Sequence, residues 1–80
     1  MKLPRDLSGQ DLARALAVYG YAITRQAGSH LRLTTQLQGE HHLTIPVHPS
    51  LRVGTLAAIL AEVANHFQVE RSAITDRLFG

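Results

Sequence analysis

Tyr21-Ala22-Ile23-Thr24-Arg25-Gln26-Ala27-Gly28-Ser29-His30-Leu31-Arg32-Leu33-Thr34-Thr35 is the stretch on which the fold turns. Its chemistry repeats every second residue. Tyr21, Ile23 and Arg25 alternate with Ala22, Thr24 and Gln26, and then Leu31, Leu33 and Thr35 alternate with His30, Arg32 and Thr34. A period of two belongs to a strand, whose successive side chains project to opposite faces. Between the two runs lies only Ala27-Gly28-Ser29, too short for a parallel crossover, so the strands are expected to fold back as an antiparallel hairpin. The leucine face of the second strand goes inward.

Downstream, residues 36–40 read as a polar turn, and a third strand follows with Leu43, Ile45 and Val47 inward and His42, Thr44 and Pro46 outward. Pro46 has no N–H for a ladder, which places that strand's end at a sheet edge or exit. Residues 48–53 form a loop, after which Thr55 is expected to cap a helix lined by Leu56, Ile59, Leu60, Val63 and Phe67. Residues 69–79 allow a short third helix through Ile74 and Leu78. Upstream, Ser8 caps a first helix over residues 9–19, with Asp11 three positions on and Leu7 placed to staple onto Leu12. Gly20 supplies its left-handed stop.

The order helix, three strands, helix predicts an α+β fold: a three-stranded antiparallel meander with the helices on its apolar face and the other face open. By strand parity the open face gathers His30, Arg32, His42 and Thr44, which become neighbours if strands two and three pair near their hairpin.

Eighty residues with 45% apolar content suit a single domain spanning residues 1–80 with one core. The absence of cysteine removes disulfides and thiolate metal sites and fits a reducing compartment, so the cytoplasm is the expected location. No signal-like or membrane-length apolar segment is expected. Net charge is +2, unevenly spread. Residues 1–39 set Lys2, Arg5, Arg14, Arg25 and Arg32 against Asp6 and Asp11, a net +3; residues 40–80 carry −1. A basic half is compatible with a phosphate-bearing partner.

His30 follows the small pair Gly28-Ser29 at a strand start, where another molecule's backbone can approach closely. Histidine moves protons near neutral pH, and Arg32 is suited to holding a phosphate or stabilising developing negative charge. A Ser29–His30 hydrolase is disfavoured because adjacent strand residues face apart and no acidic orienter accompanies them. The same geometry separates His41 from His42, and without a ligand motif no metal or other cofactor is expected. His48 is expected to hydrogen-bond its loop, and His66 to favour the C-terminus of its helix. Tyr19 and Tyr21 read as core or edge aromatics.

Leu7-Ser8-Gly9, the helix ending at Gly20-Tyr21, Gly28-Ser29-His30, Leu43-Thr44-Ile45-Pro46-Val47-His48, and Gly54-Thr55-Leu56 leading to Ile59-Leu60 form an ordered combination along nearly the whole chain. In that combination the sequence resembles the HicA-type, or YcfA-like, toxins of bacterial toxin–antitoxin pairs. The resemblance implies a double-stranded-RNA-binding-like α-β-β-β-α fold. It also implies endoribonuclease action on mRNA with His30 as the essential residue, and a HicB-type antitoxin as partner. Residues 68–79 extend past the second helix of the shortest members. With that resemblance in view three classes stay open: a metal-independent endoribonuclease assisted by Gly28, Ser29, Arg32, His42 and Thr44; a module that binds RNA without cutting; and a domain that acts only through an antitoxin.

Overall fold

The computed structural model describes residues 3–80. Ser8 opens the first helix by accepting the Asp11 N–H at 3.0 Å. Helix α1 (Gly9–Ala15) then tightens into a 3-10 turn (Leu16–Tyr19), which ends at Gly20 in the left-handed region. Three strands follow, β1 (Ala22–Ala27), β2 (His30–Thr35) and β3 (His41–Pro46), then α2 (Val53–Phe67) and α3 (Arg71–Phe79). The sheet is an antiparallel meander in the order β1-β2-β3. This is the α-β-β-β-α order of the double-stranded-RNA-binding-like fold, with the short C-terminal helix added.

The core lies between the sheet and the helices. Leu31, Leu33 and Thr35 of β2 and Leu43 and Ile45 of β3 are buried, against Leu12 and Leu16 from the first helical segment, Leu56, Ile59, Leu60 and Val63 from α2, and Ile74 from α3. The buried Thr35 hydroxyl donates to the Tyr19 carbonyl at 2.8 Å and accepts the Leu37 N–H at 3.2 Å, so its polar atom is satisfied. Gly9 sits hard against β3, because a Cβ there would run into the Pro46 carbonyl oxygen. Its N–H is donated to His48 O at 3.0 Å. His48 is exposed and ties its loop through that backbone carbonyl.

Two expectations are corrected. Thr55 does not cap α2; Arg52 holds the cap position, in extended backbone and without a side-chain bond, and Thr55 lies within the first turn. The physical reason is upstream: buried Leu51 is pinned by its N–H to the Leu7 carbonyl at 2.7 Å, and the chain turns into helix directly after it. The alternation of β1 is also broken. It begins at Ala22, and its register shifts between Ile23 and Arg25, a β-bulge. Ile23 pairs with Leu33 while Arg25 pairs with Arg32, so these two residues face opposite sides instead of sharing one. Every residue of β1 is exposed, because the helices cover β2 and β3 and leave this edge strand bare.

His66 is the basic residue in the last turn of α2, and it also reaches beyond its own helix. Its Nε2–H is donated to the Leu37 carbonyl at 2.9 Å, which ties the end of α2 to the β2–β3 turn. Around it stands an aromatic group. The hydroxyl of Tyr21, only 3% exposed, is hydrogen-bonded to His41 Nδ1 at 2.9 Å, and Tyr19 packs on Phe67 at 4.9 Å. Burial, reinforced by the charge of Glu62, pushes the Tyr21 phenol up to about 12.

Candidate nucleic-acid interface on the open sheet face

The face turned away from the helices is set by the pairing. His30 lies opposite Pro46, Arg32 opposite Thr44, and Thr34 opposite His42. From β1, Ala27 lies opposite His30 and Arg25 opposite Arg32. His30, Arg32, His42 and Thr44 therefore share one face, as strand parity requires. They do not all adjoin. Pairing next to the β2–β3 turn puts His42 at the turn end, and its partner Thr34 is four residues from His30. At the rise of a strand that is roughly 13 Å along β2.

His30 opens β2 directly after the hairpin turn, in which Gly28 adopts φ 58° and Ser29 is exposed. The turn is anchored by the Val47 N–H, which is donated to Ser29 O at 2.7 Å. Around the imidazole is a depression of about 210 Å³ lined by Arg25, Ala27, His30, Arg32 and Thr44. A second, wider depression of about 460 Å³ continues from it, lined by Thr24, Arg25, Arg32, Thr34, Glu40 and His42. Arg25 and Arg32 belong to both, so the two form one track across the face.

His42 is held at both ring nitrogens. Its Nε2–H is donated to the Glu40 carboxylate at 2.9 Å, and Nδ1 lies 2.8 Å from the Thr34 hydroxyl. Thr34 in turn meets the Thr24 hydroxyl at 3.0 Å. The Glu40 carboxyl is held below the usual carboxylate range, first by the hydrogen bond from Gln36 and then by His42, with Arg32 adding to it. Both ring nitrogens of His42 are thus engaged, whereas His30 faces an open depression.

Arg25, Thr24 and Glu40 were not among the expected site residues. Thr24 reaches this face by ordinary alternation after Ile23, whereas Arg25 reaches it through the bulge, which leaves no mark in the sequence. Glu40 carried a legible signal, since it lies two residues before His42 and so shares its parity. Among the described residues no three His, Asp or Glu side chains converge as a cation site.

The fold and the face define a class, a small α+β domain presenting a histidine in a cationic track on the open side of its sheet. A family model described as "HicA toxin of bacterial toxin-antitoxin" matches residues 9–64, from the first residue of α1 to late in α2. The chain belongs to the HicA toxin family, and is a toxin of a bacterial toxin–antitoxin pair. The matched segment holds every residue of the track, while α3 lies beyond it. No curated protein and no solved structure matches the chain significantly. Among the described residues, no helix is long and apolar enough to cross a membrane.

Proposed function

We propose that this toxin is an endoribonuclease that cleaves mRNA in the cytoplasm, with His30 as the catalytic residue. The observation that carries the reading is the position of His30 on an open sheet face, in a depression walled by arginines and without a carboxylate. RNA brings its own nucleophile. The ribose 2′-oxygen attacks the adjacent phosphorus, and its proton passes to His30. The bond from phosphorus to the 5′-oxygen breaks, the departing oxygen takes a proton from solvent, and a 2′,3′-cyclic phosphate and a 5′-hydroxyl remain. Arg32 stabilises the charge that grows on the phosphoryl oxygens. Thr44 beside it and the backbone of Gly28 and Ser29 shape the approach. At roughly 13 Å along the strand, His42 does not act at the same phosphate. It lines the track where the RNA continues.

Because the residues around His30 are cationic or uncharged, they repel a divalent ion, and the chemistry needs only proton transfer and charge stabilisation. The antitoxin partner is a HicB-type protein that silences the toxin by covering this face. The test is incubation of purified protein with end-labelled RNA in excess chelator, followed by analysis of the new ends. Fragments ending in cyclic phosphate support the reading. RNA that is retained but left intact selects a binding module instead, and cleavage that disappears with chelator and returns with a divalent ion refutes the metal-free chemistry.

A further inference from the structure

On an unbroken two-residue alternation, Arg25 would share the face of Ile23, on the helix side. The bulge reverses it, so that Ile23 lies opposite Leu33 while Arg25 lies opposite Arg32. Core filling gives no reason for this. β1 is exposed on both faces, and Ile23 remains 54% exposed even on the helix side.

The arrangement has an electrostatic cost in the free protein. Like charges directly opposite one another on neighbouring strands destabilise the pair. Neither guanidinium is in salt-bridge contact with a carboxylate among the described residues, and only the charge of Glu40 reaches Arg32. Glu40 lines the same depression, yet its oxygens are taken by Gln36 at 3.3 Å and His42 at 2.9 Å. Two guanidinium groups facing one concave track, neither held in a salt bridge, become favourable when an anion lies between them. Their planar donor forks match the oxygens of a phosphate.

We infer that Arg25 and Arg32 form a clamp for the phosphodiester backbone of RNA, assembled by the β1 bulge, and that Arg25 is a substrate-binding residue of this toxin. The inference rests on the ribonuclease reading and gives it a binding element beside His30. Both arginines border the His30 depression and the wider one beyond it. A strand gripped between them runs from the histidine towards Thr34 and His42.

Binding is measured in the His30→Ala background, so that it is independent of cleavage. The probe is a fluorescein-labelled single-stranded RNA of mixed sequence, titrated at several salt concentrations. Arg25→Ala and Arg32→Ala should each weaken binding by about tenfold or more, the loss expected for a charge-assisted contact. Each should also flatten the dependence of log K on log salt by about 0.7, the contribution of one phosphate contact to a single strand. The double variant should flatten it at least as much as either single variant. Melting temperature should hold or rise, since each substitution relieves the like-charge pair. Arg25→Lys should restore the salt slope more fully than the affinity, because it keeps the charge and loses the fork. Arg71→Ala, on α3, should change neither.

In the otherwise wild-type enzyme, Arg25→Ala should raise KM more than it lowers kcat. Unchanged affinity and slope in Arg25→Ala overturn the clamp, and if the wild type still cuts RNA the ribonuclease reading survives. Equal losses from Arg71→Ala also overturn it, as general basicity. Arg25-dependent binding by a wild-type protein that cuts nothing supports the clamp and removes the ribonuclease reading.

Discussion

The ring of His41 stacks on the ring of His66, with 4.5 Å between centroids and 13° between planes. The first is on β3 and the second on α2, so the stack joins the sheet to the helix layer. His41 is also hydrogen-bonded to the Tyr21 hydroxyl, and the His66 ring meets Phe67 edge-on. Burial holds the His41 imidazole below its ordinary value of 6.5; neighbouring His66 lowers it further, His42 lowers it slightly, and Glu62 opposes them. The folded protein therefore keeps His41 neutral where the unfolded chain takes up a proton. Unfolding then binds protons, and the stabilisation from a neutral His41 is complete above pH 6.5 and lost as pH falls through the lowered folded value. Melting temperature should decline from pH 8 to pH 5. His41→Gln, which leaves an acceptor for Tyr21 but does not titrate, should shrink that decline. An equal decline in wild type and variant would place the pH dependence elsewhere.

Thr35 is fully buried and holds two backbone groups together, the Tyr19 carbonyl and the Leu37 N–H. Thr35→Val keeps the shape and removes both partners at once. The cost expected for leaving buried polar groups unpaired is about 1–3 kcal/mol. Denaturant unfolding should show a lower midpoint with an unchanged slope. A stability within experimental error of wild type would mean that water reaches the two groups. Because Thr35 points away from the His30 face, cleavage measured well below the melting temperature should be unaffected.

Element order, the core faces of β2 and β3 and the cap at Ser8 were legible because burial enforces their periods. Leu31, Leu33, Leu43 and Ile45 cannot slip by one residue without taking the core with them. No such constraint acts on β1, whose two faces are exposed, so a bulge there is compatible with the same alternation, and Arg25 does not share the face of Ile23 with which the alternation groups it. The cap of α2 was misread because local preference favoured Thr55, whereas the anchoring of Leu51 in the core fixed the helix start. Parity likewise placed His30 and His42 on one face. Their separation depends on which end of the ladder each occupies, a property of the hairpin register rather than of alternation.

A partner that silences the toxin by occupying the arginine-lined track has to desolvate the arginines and His30, since the helices already bury the opposite side of β2 and β3. Burying a charge is tolerable only against complementary groups, so the antitoxin surface should be acidic there. Arg32→Ala and His30→Ala should weaken the toxin–antitoxin complex more than Glu62→Ala, whose side chain is exposed on α2. Competition binding with labelled RNA gives an independent readout. A saturated complex that still binds RNA as tightly as the free toxin would exclude blockade of this face.

His30 and His42 allow a cleaner separation of folding from chemistry. His30 is exposed, while its neighbours Leu31 and Leu33 carry the packing of β2. A surface substitution of this kind usually changes stability by no more than about 0.5 kcal/mol, whereas loss of a general acid or base lowers rate by roughly 100- to 10,000-fold. His30→Ala should therefore melt like wild type, fail to cut RNA, and fail to arrest growth when induced. His42→Ala should behave differently, because His42 is bound to Glu40 and Thr34 at the far end of the track. Its loss should be smaller and appear mainly in KM. Wild-type melting together with wild-type cleavage in His30→Ala would remove His30 as the catalytic residue. Equal losses of kcat in both variants would instead require the two histidines to act at one phosphate, and hence a rearrangement of β2 and β3 on RNA binding that shortens the distance between them.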